Sequence, residues 1–176
     1  MGRRHDDART TRRRRTDDAP TTHTEDLRMP LTRITDRPLV LDEHVEAVAH
    51  PASGAVATFL GRVRDHDPGV TGEVVALEYS AHPDAGDVLA RIAAAWAARD
   101  GVLGVAVSHR VGRLAVGEAA IVAAVATAHR HPAFDVCAAL VEQVKAELPV
   151  WKKEVLADGE HVWVGLEGSG DMGDPR

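Results

Sequence analysis

Residues 104–128 read GVAVSHRVGRLAVGEAAIVAAVATA, two runs of small and β-branched residues separated by a short segment built around Gly117. GVAVSHRVG (104–112) and AAIVAAVATA (119–128) have the composition of strands, and RLAVGE (113–118) between them is a turn too short to hold a crossover helix. A pair joined this way must be antiparallel. That pairing argues against a doubly wound parallel sheet, in which helices join successive strands.

Upstream of this pair, RITDRPLV (33–40) predicts a first strand and LDEHVEAVAH (41–50) a short surface helix stopped by Pro51 and Gly54. GAVATFLGRVR (54–64) and VVALEYSA (74–81), joined by the polar loop DHDPGVTGE (65–73), predict a hairpin. Pro83 opens a helix in which Val88, Ile92, Ala95, Trp96 and Arg99 recur at helical spacing, and Gly101 ends it. Downstream, Pro132 opens a second long helix with an apolar stripe of Phe134, Cys137, Leu140, Val141 and Val144. Pro149 forces Leu148 out of helical geometry, so that helix should stop near Glu147. WKKEVLA and EHVWVG then predict a closing hairpin around Asp158-Gly159. The fold class expected is α+β, antiparallel sheets with two main packed helices, over residues 31–165. Residues 1–30 lack large apolar side chains and are expected to be a disordered tail, and 166–176 a flexible one. A start of the folded chain at Met29 would account for the first of these.

Bulk composition narrows the function. The chain has 176 residues, enough for one domain with a real core. It has no apolar run of membrane-spanning length and no secretory h-region, which predicts a cytoplasmic protein. A single cysteine, Cys137, excludes an internal disulfide framework, and its place in the helix stripe makes it a packing residue. Residues 29–176 carry thirteen Lys and Arg against twenty-one Asp and Glu, a net of −8. An acidic body of this kind argues against nucleic acid as the main ligand. The chain has no GxxxxGK[ST], GxGxxG, HExxH or GxSxG, so nucleotide hydrolysis, dinucleotide redox, zinc proteolysis and serine hydrolysis are not expected. No metal site is expected either. His5, His23, His44, His50 and His161 have no ligand-like spacing, and Arg130 between His129 and His131 would repel a cation.

Three basic constellations remain. Arg62 and Arg64 close a strand and run into Asp65-His66-Asp67, where a solvated strand end is the plain alternative. His129-Arg130-His131-Pro132 precedes a helix, where unpaired N–H groups and the helix dipole suit a phosphate or carboxylate; an exposed charged loop is the alternative. The third is KAELPVWKKE (145–154), which holds all three lysines, Lys145, Lys152 and Lys153, of a chain with eighteen arginines. Favourable charge in a last helical turn and two solvent-facing strand positions would explain it without function. An arginine cannot lose its proton near neutral pH, whereas a lysine in a cationic or desolvated pocket can act as acid, base or nucleophile. Lys152 and Lys153 point to opposite faces of their strand, so only one can join Lys145 in a pocket.

GRVRDHDPG (61–69), LEYSAHP (77–83), HRVGRLAVGE (109–118), AHRHPAFDVC (128–137) and VKAELPVWKKE (144–154) together resemble the MoaE family, the large catalytic subunit of molybdopterin synthase. The resemblance runs in order from about residue 33 to 165, largely through predicted loops and element ends, where core packing does not dictate sequence. It implies an α/β-hammerhead fold and a sulfurtransferase of molybdenum cofactor biosynthesis that needs no cofactor of its own. Such an enzyme converts cyclic pyranopterin monophosphate to its dithiolene, with sulfur from a C-terminal Gly-Gly thiocarboxylate on a small ubiquitin-like, MoaD-like subunit. The resemblance further implies that Lys145 sits against the donor's terminal glycine and Lys152 in the pocket as acid/base or phosphate contact. It also implies Arg64, His129 and Arg130 as the substrate-binding anion shell. Where the family often carries another basic residue after Trp163-Val164, this chain has Gly165, Leu166 and Glu167, so a substrate contact from that tail is not implied.

Thirteen residues separate Pro132 from Lys145 on one helix, about 20 Å. His129-Arg130 and Lys145 of one chain therefore cannot share a small pocket. A homodimer that brings the His129-Arg130 loop of one subunit to the lysines of the other is expected, within a heterotetramer of two large and two small subunits. The competing functions are a non-enzymatic module that binds a ubiquitin-like tail or a small phosphate, and a Schiff-base lysine enzyme, which leaves the anion loops without a task.

Overall fold

The computed structural model describes residues 29–66 and 72–164. The expected tails therefore lie largely outside the described residues, as does the centre of the 65–73 loop. The chain runs β1 (Leu31–Thr35), α1 (Leu41–Ala47), β2 (Ala55–Arg62), β3 (Val74–Ala81), α2 (Ala85–Ala97), β4 (Val102–Arg110), β5 (Gly112–Ala115), β6 (Ala119–Thr127), α3 (Arg130–Glu147), β7 (Val150–Leu156) and β8 (His161–Val164). One sheet has the order β1-β4-β6-β2, with β1 parallel to β4 and the other pairs antiparallel. The second, β5-β3-β7-β8, is antiparallel throughout. The α+β class holds, with short α1 beside the two long helices.

β6 explains why AAIVAAVATA is apolar at nearly every position, because it is buried on both faces. Ala123 and Val125 join Val105 and Val107 under α2 and α3, beside Leu89, Ile92, Leu140, Val141 and Val144. The alternate residues Ala124 and Ala126 join Ala106 and Val48 on the α1 side. The alanines let α1 and its C-cap approach closely. At Gly104 a Cβ would lie 3.0 Å from the backbone of Val48.

The expected β4–β6 antiparallel pair is present, but RLAVGE is not merely a turn. Gly112, at φ +85°, redirects the chain so that β5 leaves the first sheet and pairs with β3, opposing Leu114 to Leu77. Leu114, fully buried, packs there with Val63, Val74 and Leu156. The expected β2–β3 hairpin does not form: β2 pairs with β6, and β3 with β5 and β7. Their connection, residues 63–73, is too long to impose a hairpin register. β6 needs a partner along each edge, and β2 supplies the one that β4 does not.

Element ends follow the prolines. α3 stops at Glu147, and Leu148 turns to φ −70°, ψ 120° ahead of Pro149. It starts two residues before the expected Pro132, which takes the third helical position, where a missing N–H costs no hydrogen bond. Phe134 is not in the apolar stripe; it is 66% exposed, because the buried face follows Ala133, Cys137, Leu140, Val141 and Val144. In α2 the buried face likewise runs through Ala85, Leu89, Ile92, Ala93 and Trp96, leaving Ala95 and Arg99 exposed. The Arg99 guanidinium stacks 3.5 Å over the Trp96 ring. His44 is not a surface residue. It lies one turn before Val48 on the face that meets the sheet, and its ring nitrogens sit 2.8 Å from the Val40 carbonyl and the Ser108 hydroxyl. Cys137 is buried, and burial raises its thiol pKa, which fits packing rather than nucleophilic work.

Glu118 ties the strand switch together. It accepts 2.8 Å bonds from Arg110 Nη1 and from the Ala115 N–H. The Arg110 bond, then the Ala115 bond, hold its carboxyl below the usual glutamate range. The folded-state pKa is the lower one, so the unfolded chain takes up this proton first as pH falls. The stabilisation is complete above the unfolded pKa and is lost as pH drops through the folded value. Glu118→Gln should therefore lower the thermal midpoint at neutral pH and flatten its decline as pH falls below the ordinary glutamate pKa. An acid limb as steep as the parent's in thermal melts would contradict this.

Candidate active site

Between the two sheets, beside the C-terminal end of α3, lies a cavity of about 560 Å³. Its walls come from elements that the sequence separates widely. The end of β2 and the following loop supply Phe59, Arg62, Arg64 and His66; β3 supplies Leu77 and Tyr79; β4 supplies His109. The last turns of α3 supply Val144 and Lys145, and β7 supplies Val150, Lys152 and Glu154. Three of the five residues expected at the site, Arg64, Lys145 and Lys152, thus line one cavity. His129, the N-cap of α3, and Arg130, its first residue, are not among the lining residues. At 1.5 Å per residue they lie about 22 to 24 Å along the helix from Lys145.

The corner at Pro149 is what delivers both lysines. The helix ends with Lys145 in its last turn, and the chain reverses into β7, whose alternation sends Val150, Lys152 and Glu154 to the cavity wall. Lys153 points the other way, its Nζ 3.6 Å from Glu78 Oε2, where Arg113 also reaches the same carboxylate. The division between Lys152 and Lys153 that strand alternation requires is realised in this direction.

Lys152 is held by an acid two residues on. Its Nζ lies 3.0 Å from Oε1 of Glu154, whose side chain is 1% exposed. The second oxygen, Oε2, is buried with no hydrogen-bond partner among the described residues. A buried carboxylate with half its capacity unused is costly by itself, and the ammonium beside it is what makes it tolerable. At the cavity mouth His66 Nδ1 is 2.6 Å from Asp65 Oδ1, and this contact holds the Asp65 carboxyl below its usual range. Among the described residues, no group of three or more His, Cys, Asp or Glu is arranged to hold a metal ion, and no helix is long and apolar enough to cross a membrane.

Glu154, His109 and Tyr79 were not singled out from the sequence. Glu154 had a signal, since a Lys-x-Glu pair shares one strand face beside a proline corner. His109 and Tyr79 fall within HRVGRLAVGE and LEYSAHP, but their place in the site depends on how the two sheets meet.

The sequence model of the MoaE protein family matches residues 34–147. The chain belongs to the MoaE family. The molybdopterin synthase catalytic subunit 1 of Mycobacterium tuberculosis is 40% identical over 138 residues, covering 77% of this chain and 91% of that protein. The molybdopterin synthase catalytic subunit of Bacillus subtilis is 38% identical over 133 residues, 75% of this chain and 83% of that one. Among solved structures, molybdopterin synthase from Staphylococcus aureus superposes with a TM-score of 0.68 at 30% identity, over 76% of this chain and 96% of that chain. A complex of subunits 1 and 2 of the molybdopterin-converting factor from Helicobacter pylori shares the fold, with a TM-score of 0.60 at 22% identity over 79% of this chain and 97% of that chain. This MoaE-family chain thus keeps the expected α+β architecture and gathers four cationic side chains, Arg62, Arg64, Lys145 and Lys152, in one cavity.

Proposed function

We propose that the protein is the catalytic subunit of a molybdopterin synthase, a sulfurtransferase that moves sulfur from the thiocarboxylated Gly-Gly end of a small ubiquitin-like subunit onto cyclic pyranopterin monophosphate. The product is the dithiolene that later holds molybdenum. The observation that carries this reading is the meeting of Arg64, Lys145 and Lys152 in one cavity of a family member whose body is otherwise acidic. Both reactants are anions, a phosphate and a thiocarboxylate, and a cavity rich in cations in an acidic protein selects for them. The sulfur arrives already activated, so the buried Cys137 is not required.

Each transfer breaks the C–S bond of the thiocarboxylate and forms a C–S bond to a side-chain carbon of the pterin, where a C–O bond breaks and its oxygen leaves as water or stays on the phosphate. Water supplies the oxygen with which the tail leaves as a carboxylate. In this reading Lys145, at the exposed rim, meets the terminal glycine, offsets charge on its carbonyl oxygen and acts as acid or base in the transfer. Lys152, held at the wall by Glu154, contacts the pterin or its phosphate and can pass a proton. Arg64 belongs to the anion shell.

His129 and Arg130 complete that shell from a second copy of the chain. The exposed Phe134 in the first turns of α3, and Val56 and Phe59 along β2, an edge strand, supply apolar surface for such a homodimer. With one small subunit on each large one, the assembly is a heterotetramer, and the Helicobacter pylori complex of two subunits supports the small partner. Mixing chains inactivated by Arg130→Ala with chains inactivated by Lys145→Ala should restore activity, because a mixed dimer retains one complete site. Verified mixed dimers without restored activity would contradict the shared site.

A further inference from the structure

We propose that His109 is the group that orients the pterin ring, accepting a hydrogen bond at Nε2 from an N–H or O–H of the substrate. His109 is the second-last residue of β4 and lines the cavity beside Tyr79, whose ring it meets edge to face at 5.1 Å between centroids and 74°. Its Nδ1 lies 2.8 Å from the Arg110 carbonyl oxygen. A carbonyl only accepts, so Nδ1 carries the hydrogen, and in the neutral ring Nε2 is left with a lone pair. Nε2 has no hydrogen-bond partner among the described residues, and it is not one of the sealed polar atoms, which are Arg110 Nε and Glu154 Oε2.

The surroundings keep that lone pair available. Burial depresses the imidazole pKa, against a smaller opposing effect of the bond to Arg110. The charged and titratable groups around the cavity are Arg62, Arg64 and His66 from β2 and its loop, Tyr79 from β3, Lys145 from α3, and Lys152 and Glu154 from β7. The guanidinium and ammonium groups among them donate and cannot accept; of the Glu154 carboxylate, Oε1 is engaged by Lys152 and Oε2 is sealed by burial. The cations can hold a phosphate, but they cannot receive the N–H and O–H groups of a reduced pterin. His109 is a neutral acceptor placed to do so.

This inference rests on the cavity being the pterin site. The test uses the protein with its small subunit, with cyclic pyranopterin monophosphate as the probe and thermal melting as the control for folding. His109→Leu, which removes the acceptor, should weaken pterin binding about tenfold. His109→Gln, whose side-chain oxygen can replace Nε2, should stay within about threefold of the parent. Binding of inorganic phosphate should be the same in all three. Parent affinity should fall on acidification through the depressed imidazole pKa, and this limb should be absent in His109→Gln. In the parent, the ¹⁵N resonance of His109 Nε2 should shift on adding pterin, a readout that holds even if His109→Leu does not fold. Parent-like pterin binding by the leucine variant, an acid limb that persists in His109→Gln, or an unmoved Nε2 resonance would each overturn the proposal. A parent that binds no pterin would overturn the reading of the cavity itself, and this inference with it.

Discussion

Arginine at position 145 is expected to leave the fold intact and to cut sulfur transfer by about 10²- to 10⁴-fold, the range by which a positioned acid or base accelerates a reaction. Lys145 is exposed in the last turn of α3, and arginine keeps its favourable charge at the helix C-terminus. The stability change should therefore stay within about 0.5 kcal/mol. What arginine cannot do is release a proton near neutral pH or fit its broader planar fork where a compact ammonium sits. This separates catalysis from binding, because a module that merely captured an anionic tail would accept either cation. Single-turnover transfer from the thiocarboxylated subunit, measured beside the affinity for that subunit, decides it. Lost transfer with retained affinity is the expected pattern, and transfer at the parent's rate would remove Lys145 from the catalytic machinery.

The second large effect is on stability. Lys152→Met should destabilise the protein by about 3 kcal/mol, because it strands the Glu154 carboxylate, 1% exposed, without the ammonium that offsets its desolvation. Lys152 itself is 24% exposed, so solvent screens part of the pair and the lower end of the usual range applies. Adding Glu154→Gln to Lys152→Met removes the stranded charge and should return most of the lost stability while activity stays absent. Denaturant unfolding of the two single variants and the double gives the coupling directly. A double variant as unstable as Lys152→Met alone would show that the pair does not stabilise the β7 wall in this way.

The parts of the fold legible in the sequence are those set by local chemistry. Gly117 and the short connection around it imposed the antiparallel β4–β6 pair, Pro149 ended α3 at Glu147, and Asp158-Gly159 closed the β7–β8 hairpin. The parts not legible depend on partners distant in sequence. Nothing in GAVATFLGRVR shows that β2 is claimed by β6 rather than by β3, and nothing in RLAVGE shows that Leu114 is drawn into another sheet. Phe134 and His44 exchanged their expected environments for the same reason: helical spacing defines a face, but packing decides where it points. Within the site, the scarcity of lysine marked Lys145, Lys152 and Lys153 together, and the resemblance singled out Lys145, Lys152 and Arg64. The cavity that joins them follows from the contact of two sheets and the corner at Pro149. Glu154 shares a strand face with Lys152, but its burial there is set by packing rather than by local sequence.

The central claim is that this cavity carries out sulfur transfer. Its most direct test is a reconstituted reaction of the protein, its small subunit bearing a C-terminal Gly-Gly thiocarboxylate, and cyclic pyranopterin monophosphate, with chromatographic detection of the dithiolene product. Two sulfurs per product, drawn from two equivalents of thiocarboxylate and abolished by Lys145→Ala, is the predicted result. Binding of both partners without any dithiolene formed would contradict the account.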